Sequence, residues 1–185
     1  MSTVLLAACS HDGREMKPPT ADQTESIAIA TTIAESVAPA PVMTIAAPWT
    51  DGTEMDALFT CAGSKLSPNF DIAGLPQGTI TWGLSIVDQT AANAMHWAAA
   101  NIDPAISHID AGVVPAGAVQ SLNRIGKVGY AAPCPKVGEP HTYVLTVYAL
   151  GQQLEVTDGV DPETMLTSLE AGAIGIATTS FTVTR

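Results

Sequence analysis

Between Ile80 and Asp88 the chain reads ITWGLSIVD, and no other stretch restricts its fold as much. Successive side chains of an extended strand point to opposite sides. Ile80, Trp82, Leu84 and Ile86 therefore share one face, and Thr81, Gly83, Ser85 and Val87 share the other. A helix repeats its faces every ~3.6 residues and could not gather that alternation into one stripe. The stretch predicts a strand of a packed sheet. AMHWAAANI predicts a second strand, HTYVLTVYAL a third with apolar residues on both faces, and TTSFTVTR a closing fourth. Asp51-Gly52, Pro76-Gln77-Gly78 and Pro115-Ala116-Gly117 supply turns between them. Near the end, Asp161-Pro162-Glu163 starts a helix, with Asp161 placed to cap free amides and Pro162 at the first helical position. Met165, Leu166 and Leu169 give that helix one apolar stripe, expected to pack on the edge of the sheets. The pattern is all-β with a minor helical component.

Charge narrows the range of partners. The 18 acidic residues against 7 basic ones leave a formal charge of −11, which repels phosphate backbones and anionic lipid surfaces and argues against nucleic acid. No apolar run reaches the ~20 residues needed to span a bilayer. Membrane association is expected only through a lipid anchor. Leu6-Ala7-Ala8-Cys9 resembles the lipobox of bacterial lipoproteins, where cleavage precedes a cysteine that becomes lipidated. Cys9 is thus the expected anchor, residues 1–9 the signal, and the location the cell envelope, periplasm-facing and at the outer membrane in a Gram-negative cell. A cytoplasmic location is the alternative if the lipobox match is spurious. From Ser10 to Pro41 the chain is rich in Ala, Thr, Ser, Pro and Glu, the composition of a tether reaching on the order of 30 Å. The globular domain is expected from Val42 to Arg185.

The chemistry gathers at strand ends. Asp88 closes one predicted strand, His96 lies near the start of the next, and His141 and Tyr143 open a third. At positions i and i+2, His141 and Tyr143 point to the same face. Converging at one rim, an acid, two imidazoles and a phenol suit an anionic ligand, because protonated imidazole and phenol O–H both donate while Asp88 fixes a histidine's charge or tautomer. His108 falls outside this group and reads as a loop residue.

Three stretches carry a resemblance to a known family: MTIAAPWTDGTEMDALFTCAGSKLSPNFDIAGLPQGT, then MHWAAANI, then GKVGYAAPCPKVGEPHTYVLTVYAL. The specific elements are Thr60-Cys61-Ala62-Gly63 with Ser67-Pro68, His96-Trp97, and Gly129-Tyr130 through Pro133-Cys134-Pro135 to Pro140-His141 and Tyr143. Together they resemble the phosphatidylethanolamine-binding protein family in its bacterial Raf-kinase-inhibitor-like branch. The resemblance implies a Greek-key sandwich of two antiparallel sheets with a small anion pocket. It carries the pocket onto Asp88, His96, His141 and Tyr143, with Pro133, Cys134 and Pro135 as one wall. Two departures stand out. The family follows this acid with Pro-Asp-Ala-Pro, whereas Asp88 here precedes Gln89-Thr90-Ala91-Ala92, and Thr142 stands where the family has Arg. Both departures imply a pocket altered in shape, looser, or no longer used for the family's ligand.

With Cys9 lipidated, Cys61 and Cys134 remain as a pair, and an oxidising envelope would permit a disulfide between them. In a cytosolic protein they would instead be two buried thiols. A metal site from Cys134, His141 and His96 lacks the close ligand spacing such sites show. No cofactor is implied. The expected function is a non-enzymatic module binding a small anion, phosphate, carboxylate or a phospholipid headgroup. The alternative is an interaction or inhibitor module that docks a kinase or protease through the pocket rim. A hydrolase using His141 or His96 as general base ranks third, since no nucleophile motif accompanies the imidazoles.

Overall fold

The structure, a computed structural model, describes residues 42–185. The expected lipobox, Cys9 and the tether lie outside the described residues. In chain order the elements are β1 (Thr44–Ala46), β2 (Thr53–Glu54), a short 3-10 turn (Ala57–Phe59), β3 (Phe70–Ala73), β4 (Thr81–Asp88), β5 (Ala94–Ile102), β6 (His108–Ile109), β7 (Val119–Gln120), β8 (His141–Leu150), α1 (Pro162–Gly172) and β9 (Ala173–Val183). They form a three-stranded sheet, β1-β3-β6, and a six-stranded sheet, β2-β9-β8-β4-β5-β7. Within the larger sheet β4, β5 and β7 follow one another, and β8 returns to lie beside β4. That is the order of a Greek key. Almost all pairings are antiparallel, but β2 runs parallel to β9, with Thr53 opposite Phe181. The expectation of two purely antiparallel sheets is corrected there.

Two cores flank the large sheet. Between the sheets, Phe70, Ile72 and Ile109 meet Trp82, Leu84, Ile86, Trp97, Leu145, Val147 and Phe181. On the other face, Met165 and Leu169 of α1 pack with Met95, Ala98, Ala100, Tyr148 and Leu150. The helix therefore covers the sheet's face, not its edge as its sequence suggested, and Leu166 is only half-buried. Burial of Met165 and Leu169 to zero exposure contributes about 1.5–3 kcal/mol each.

Gly83 and Ser85, on the face of β4 opposite Trp82, Leu84 and Ile86, are buried for the same reason. Ser85 is buried and exchanges a hydrogen bond of 3.1 Å with the Tyr148 hydroxyl. At Gly83 an added Cβ would collide with Leu169 Cδ2 and come within 2.7 Å of the Ala99 carbonyl oxygen. Glycine is what lets α1 approach. Ile80, expected on the buried stripe, precedes the strand and is 56% exposed. The cap is as expected: the Asp161 carboxylate accepts from the Glu163 and Thr164 amides at 3.0 and 3.3 Å. The closing strand begins at Ala173, five residues before the stretch that announced it, because the helix runs directly into it.

Candidate functional site

The long central strands bring the expected cluster together at one end of the large sheet. Asp88, last in β4, lies opposite Tyr143 on β8 and Ala94 on β5. His141 is two residues before Tyr143, so it shares that face. His96 reaches it by a different route. Ile86 pairs with Trp97 and Val87 with Met95, so His96 is the extra residue of a bulge in β5. Bulges re-aim side chains. Here the bulge turns His96 towards Tyr143, whose ring it meets edge-on at 5.1 Å, while its neighbour Trp97 still packs in the core between the sheets.

Asp88 is the hub of the cluster. Its Oδ2 accepts from His141 Nδ1 at 2.8 Å, which fixes the proton on that nitrogen and leaves Nε2 for the open side. Its Oδ1 accepts from the Thr90 and Ala91 amides, each at 3.0 Å. His96 Nδ1 donates to the Ala131 carbonyl at 2.6 Å, and the Ala131 amide donates back to the His96 carbonyl at 2.7 Å. His96 Nε2 then faces Asp88 Oδ2 at 3.9 Å, buried and with no hydrogen-bond partner. Tyr143 stacks on Phe181 at 5.2 Å. The cluster opens to solvent chiefly through His141, whose side chain is 17% exposed against 2% for Asp88 and 0% for His96.

The electrostatics follow from this geometry. Burial alone would raise the Asp88 pKa, but the bonds from His141 and the Ala91 amide outweigh it and hold the carboxyl below the ordinary range. Burial depresses the His96 pKa against the opposing pull of the Ala131 bond, which favours the neutral imidazole. Burial, followed by the adjacent Asp88 charge, pushes the Tyr143 phenol up and keeps it protonated.

The two departures from the family pattern touch each other. The Thr142 amide donates to Thr90 Oγ1 at 2.9 Å, and the Gln89 amide to the Thr142 carbonyl at 2.9 Å. Ala92 and Asn93 complete the turn with φ of 51° and 57°. A short hairpin thus stands in place of the prolines.

Cys61 and Cys134 form a disulfide, so Cys134 offers no thiolate to a metal. Pro133 and Pro135 are buried beside it, and the Pro133 carbonyl accepts from the Cys61 amide at 3.0 Å. This wall reaches the cluster through Ala131, whose carbonyl no sequence pattern marks. Tyr130 braces the same loop by donating its hydroxyl to the Phe59 carbonyl at 2.7 Å. His108 lies in β6, not in a loop as expected, and stands exposed between Asp71 and Asp110, at 2.8 and 3.2 Å. It is apart from the cluster.

Comparison with known proteins agrees with this architecture. Residues 46–184 match the phosphatidylethanolamine-binding protein family model. A UPF0098 protein of Methanothermobacter thermautotrophicus is 32% identical over 134 residues, covering 69% of this chain and 88% of its own length. The UPF0098 protein YbcL of Escherichia coli is 34% identical over 103 residues, covering 50% of this chain and 56% of its own. Among solved structures, the phosphatidylethanolamine-binding protein homologue CT736 of Chlamydia trachomatis superposes with a TM-score of 0.71 at 25% identity, over 78% of this chain and 99% of that one. The chain belongs to the phosphatidylethanolamine-binding protein family. Within it, the chain is similar to the UPF0098 proteins, among them YbcL of Escherichia coli.

Proposed function

We propose that the globular part is a non-enzymatic binding module that holds a small oxyanion, a phosphate or carboxylate group free or on a phospholipid headgroup, against His141. The His141–Asp88 hydrogen bond of 2.8 Å carries the reading. With Nδ1–H committed to Asp88, a second proton on the ring makes Nε2 a charge-assisted donor at the one side chain of the cluster open to solvent. The reading includes lipidation at Cys9 and display on the cell envelope, supported by Leu6-Ala7-Ala8-Cys9 and the composition of residues 10–41. The intact mass of membrane-extracted protein tests that part. An unmodified Cys9 would remove it.

Calorimetric titration with phosphate, phosphoethanolamine and acetate tests the pocket. His141→Ala is expected to lose a charge-assisted bond of about 1.5–3 kcal/mol, a roughly ten-fold to more than hundred-fold loss of affinity. If the wild type binds none of the three, docking of a protein partner replaces this reading.

A further inference from the structure

A groove of about 280 Å3 lies on loops that the anion-binding reading does not use. Leu66, Val114 and Val128 line it while remaining 37%, 44% and 48% exposed, and Trp97 and Tyr130, packed edge-on at 6.0 Å, share the lining. Aliphatic side chains left in water on three separate loops and converging on one hollow mark a surface that another molecule covers. The loops are held in place. The Leu66 amide donates to the Leu58 carbonyl at 3.4 Å, the Gly112 amide to the Ser67 carbonyl at 2.9 Å, and the Asn123 side-chain amide to the Gly129 carbonyl at 2.8 Å. The groove is therefore formed before anything binds.

Its polar groups give the charge of the occupant. An indole N–H only donates, so Gln120 turns its oxygen to Trp97 Nε1, at 2.9 Å, and its NH2 is left as a donor on the same groove. Lys65 adds an ammonium that pairs with no carboxylate among the described residues. No Asp or Glu lines the groove, although the chain carries 18 acidic residues against 7 basic ones. Two donors beside three aliphatic side chains, with no negative charge among them, suit an apolar side chain next to a carboxylate. We propose that this groove docks an acidic segment of a partner protein, seated by one large apolar side chain between Leu66, Val114 and Val128 and by a neighbouring Asp or Glu on Lys65 and Gln120. An anionic lipid surface is the poorer occupant, because the formal charge of −11 repels it. The groove shares no residue with the cluster at Asp88, so the inference does not rest on anion binding there.

The test begins with displayed random peptides of about ten residues, selected on the immobilised full chain. The consensus is then synthesised and titrated by calorimetry. Recovered sequences should carry Asp or Glu beside a large apolar residue. Val128→Asp sets a carboxylate against the ligand's own and should weaken the consensus peptide by about 30-fold or more. Lys65→Glu should weaken it by roughly five- to ten-fold, a loss that shrinks in high salt. Both side chains are exposed, so the fold does not depend on them. Ile80→Asp, at an aliphatic side chain 56% exposed elsewhere, should change nothing. The indole proton resonance of Trp97 should move on saturation, because the peptide engages the Gln120 amide that holds it. A selection that yields no consensus, or a basic one, would overturn the inference, and so would equal binding by Val128→Asp. Sedimentation of the chain alone and its flotation with phosphatidylglycerol vesicles complete the test. A dimer or vesicle binding that Val128→Asp abolishes, without a peptide consensus, would assign the groove to a second copy or to lipid and overturn the inference too. None of these outcomes bears on phosphate binding at His141.

Discussion

Replacing both Cys61 and Cys134 with alanine removes a cross-link between residues 73 apart in sequence. The folded chain has other ties at the same place, the Cys61 amide to the Pro133 carbonyl and the Tyr130 hydroxyl to the Phe59 carbonyl, so most of the loss should come from the freed unfolded state. For a loop of this length the chain-entropy argument gives about 15 cal/mol/K, or about 4 kcal/mol near room temperature. A domain of this size should then melt roughly 10–15 °C lower. Urea titration followed by tryptophan fluorescence should show a midpoint about 2 M lower at an m-value near 2 kcal/mol/M. The m-value itself should rise, because the uncross-linked unfolded chain exposes more surface. The double variant avoids the stray thiol that a single substitution would leave. A loss below about 1 kcal/mol, with m unchanged, would refute the reasoning. It would mean that the unfolded chain keeps these loops together without the sulfurs.

Two further outcomes follow from the cores and the buried cluster. Gly83→Ala forces a methyl between Leu169 and the Ala99 carbonyl and should cost about 1–3 kcal/mol by thermal unfolding, with Leu169→Ala in the same background recovering part of it. Stability should be level near neutrality and fall in acid in two stages. His96 is depressed below its usual 6.5, so below about that pH the unfolded state takes up a proton that the folded state refuses. Asp88 is depressed below its usual 3.8, so its contribution is complete above that pH and is lost as pH falls through the lower folded value. Urea midpoints between pH 3 and 8 check this, and His96→Gln should erase the first stage alone.

The sequence announced those elements whose cause is local. The period of two in β4, the Asp161-Pro162 helix start and the cysteine pair each depend on neighbouring residues or simple counting, and each is present in the fold. What it hid depends on partners far away in the chain. Nothing near Gly83 and Ser85 announces that α1, some 80 residues later, will cover that face. The bulge at His96 lies in a register between two strands, and strict alternation would send His96 and Trp97 to opposite sides. The Ala131 carbonyl and the Thr90 and Ala91 amides act through backbone atoms, which every residue type carries. Family resemblance pointed to the four side chains of the cluster but not to the bulge in β5 that aims His96 into it.

The position of β9 between β2 and β8 also sets an order in time. During synthesis the chain emerges from its N-terminus, so β4, β5, β8 and both cysteines are available before β9 exists. The β4–β5 hairpin can close early, and β8 can join it. β2 has no neighbour in the large sheet until β9 arrives and pairs with both, its register joining Thr53 to Phe181. Contacts so distant in sequence slow folding. Arrival of β9 also delivers Phe181 beneath Tyr143. β9 thus completes both the sheet and the support of the cluster, and until it arrives Tyr143 lacks the Phe181 ring stacked on it.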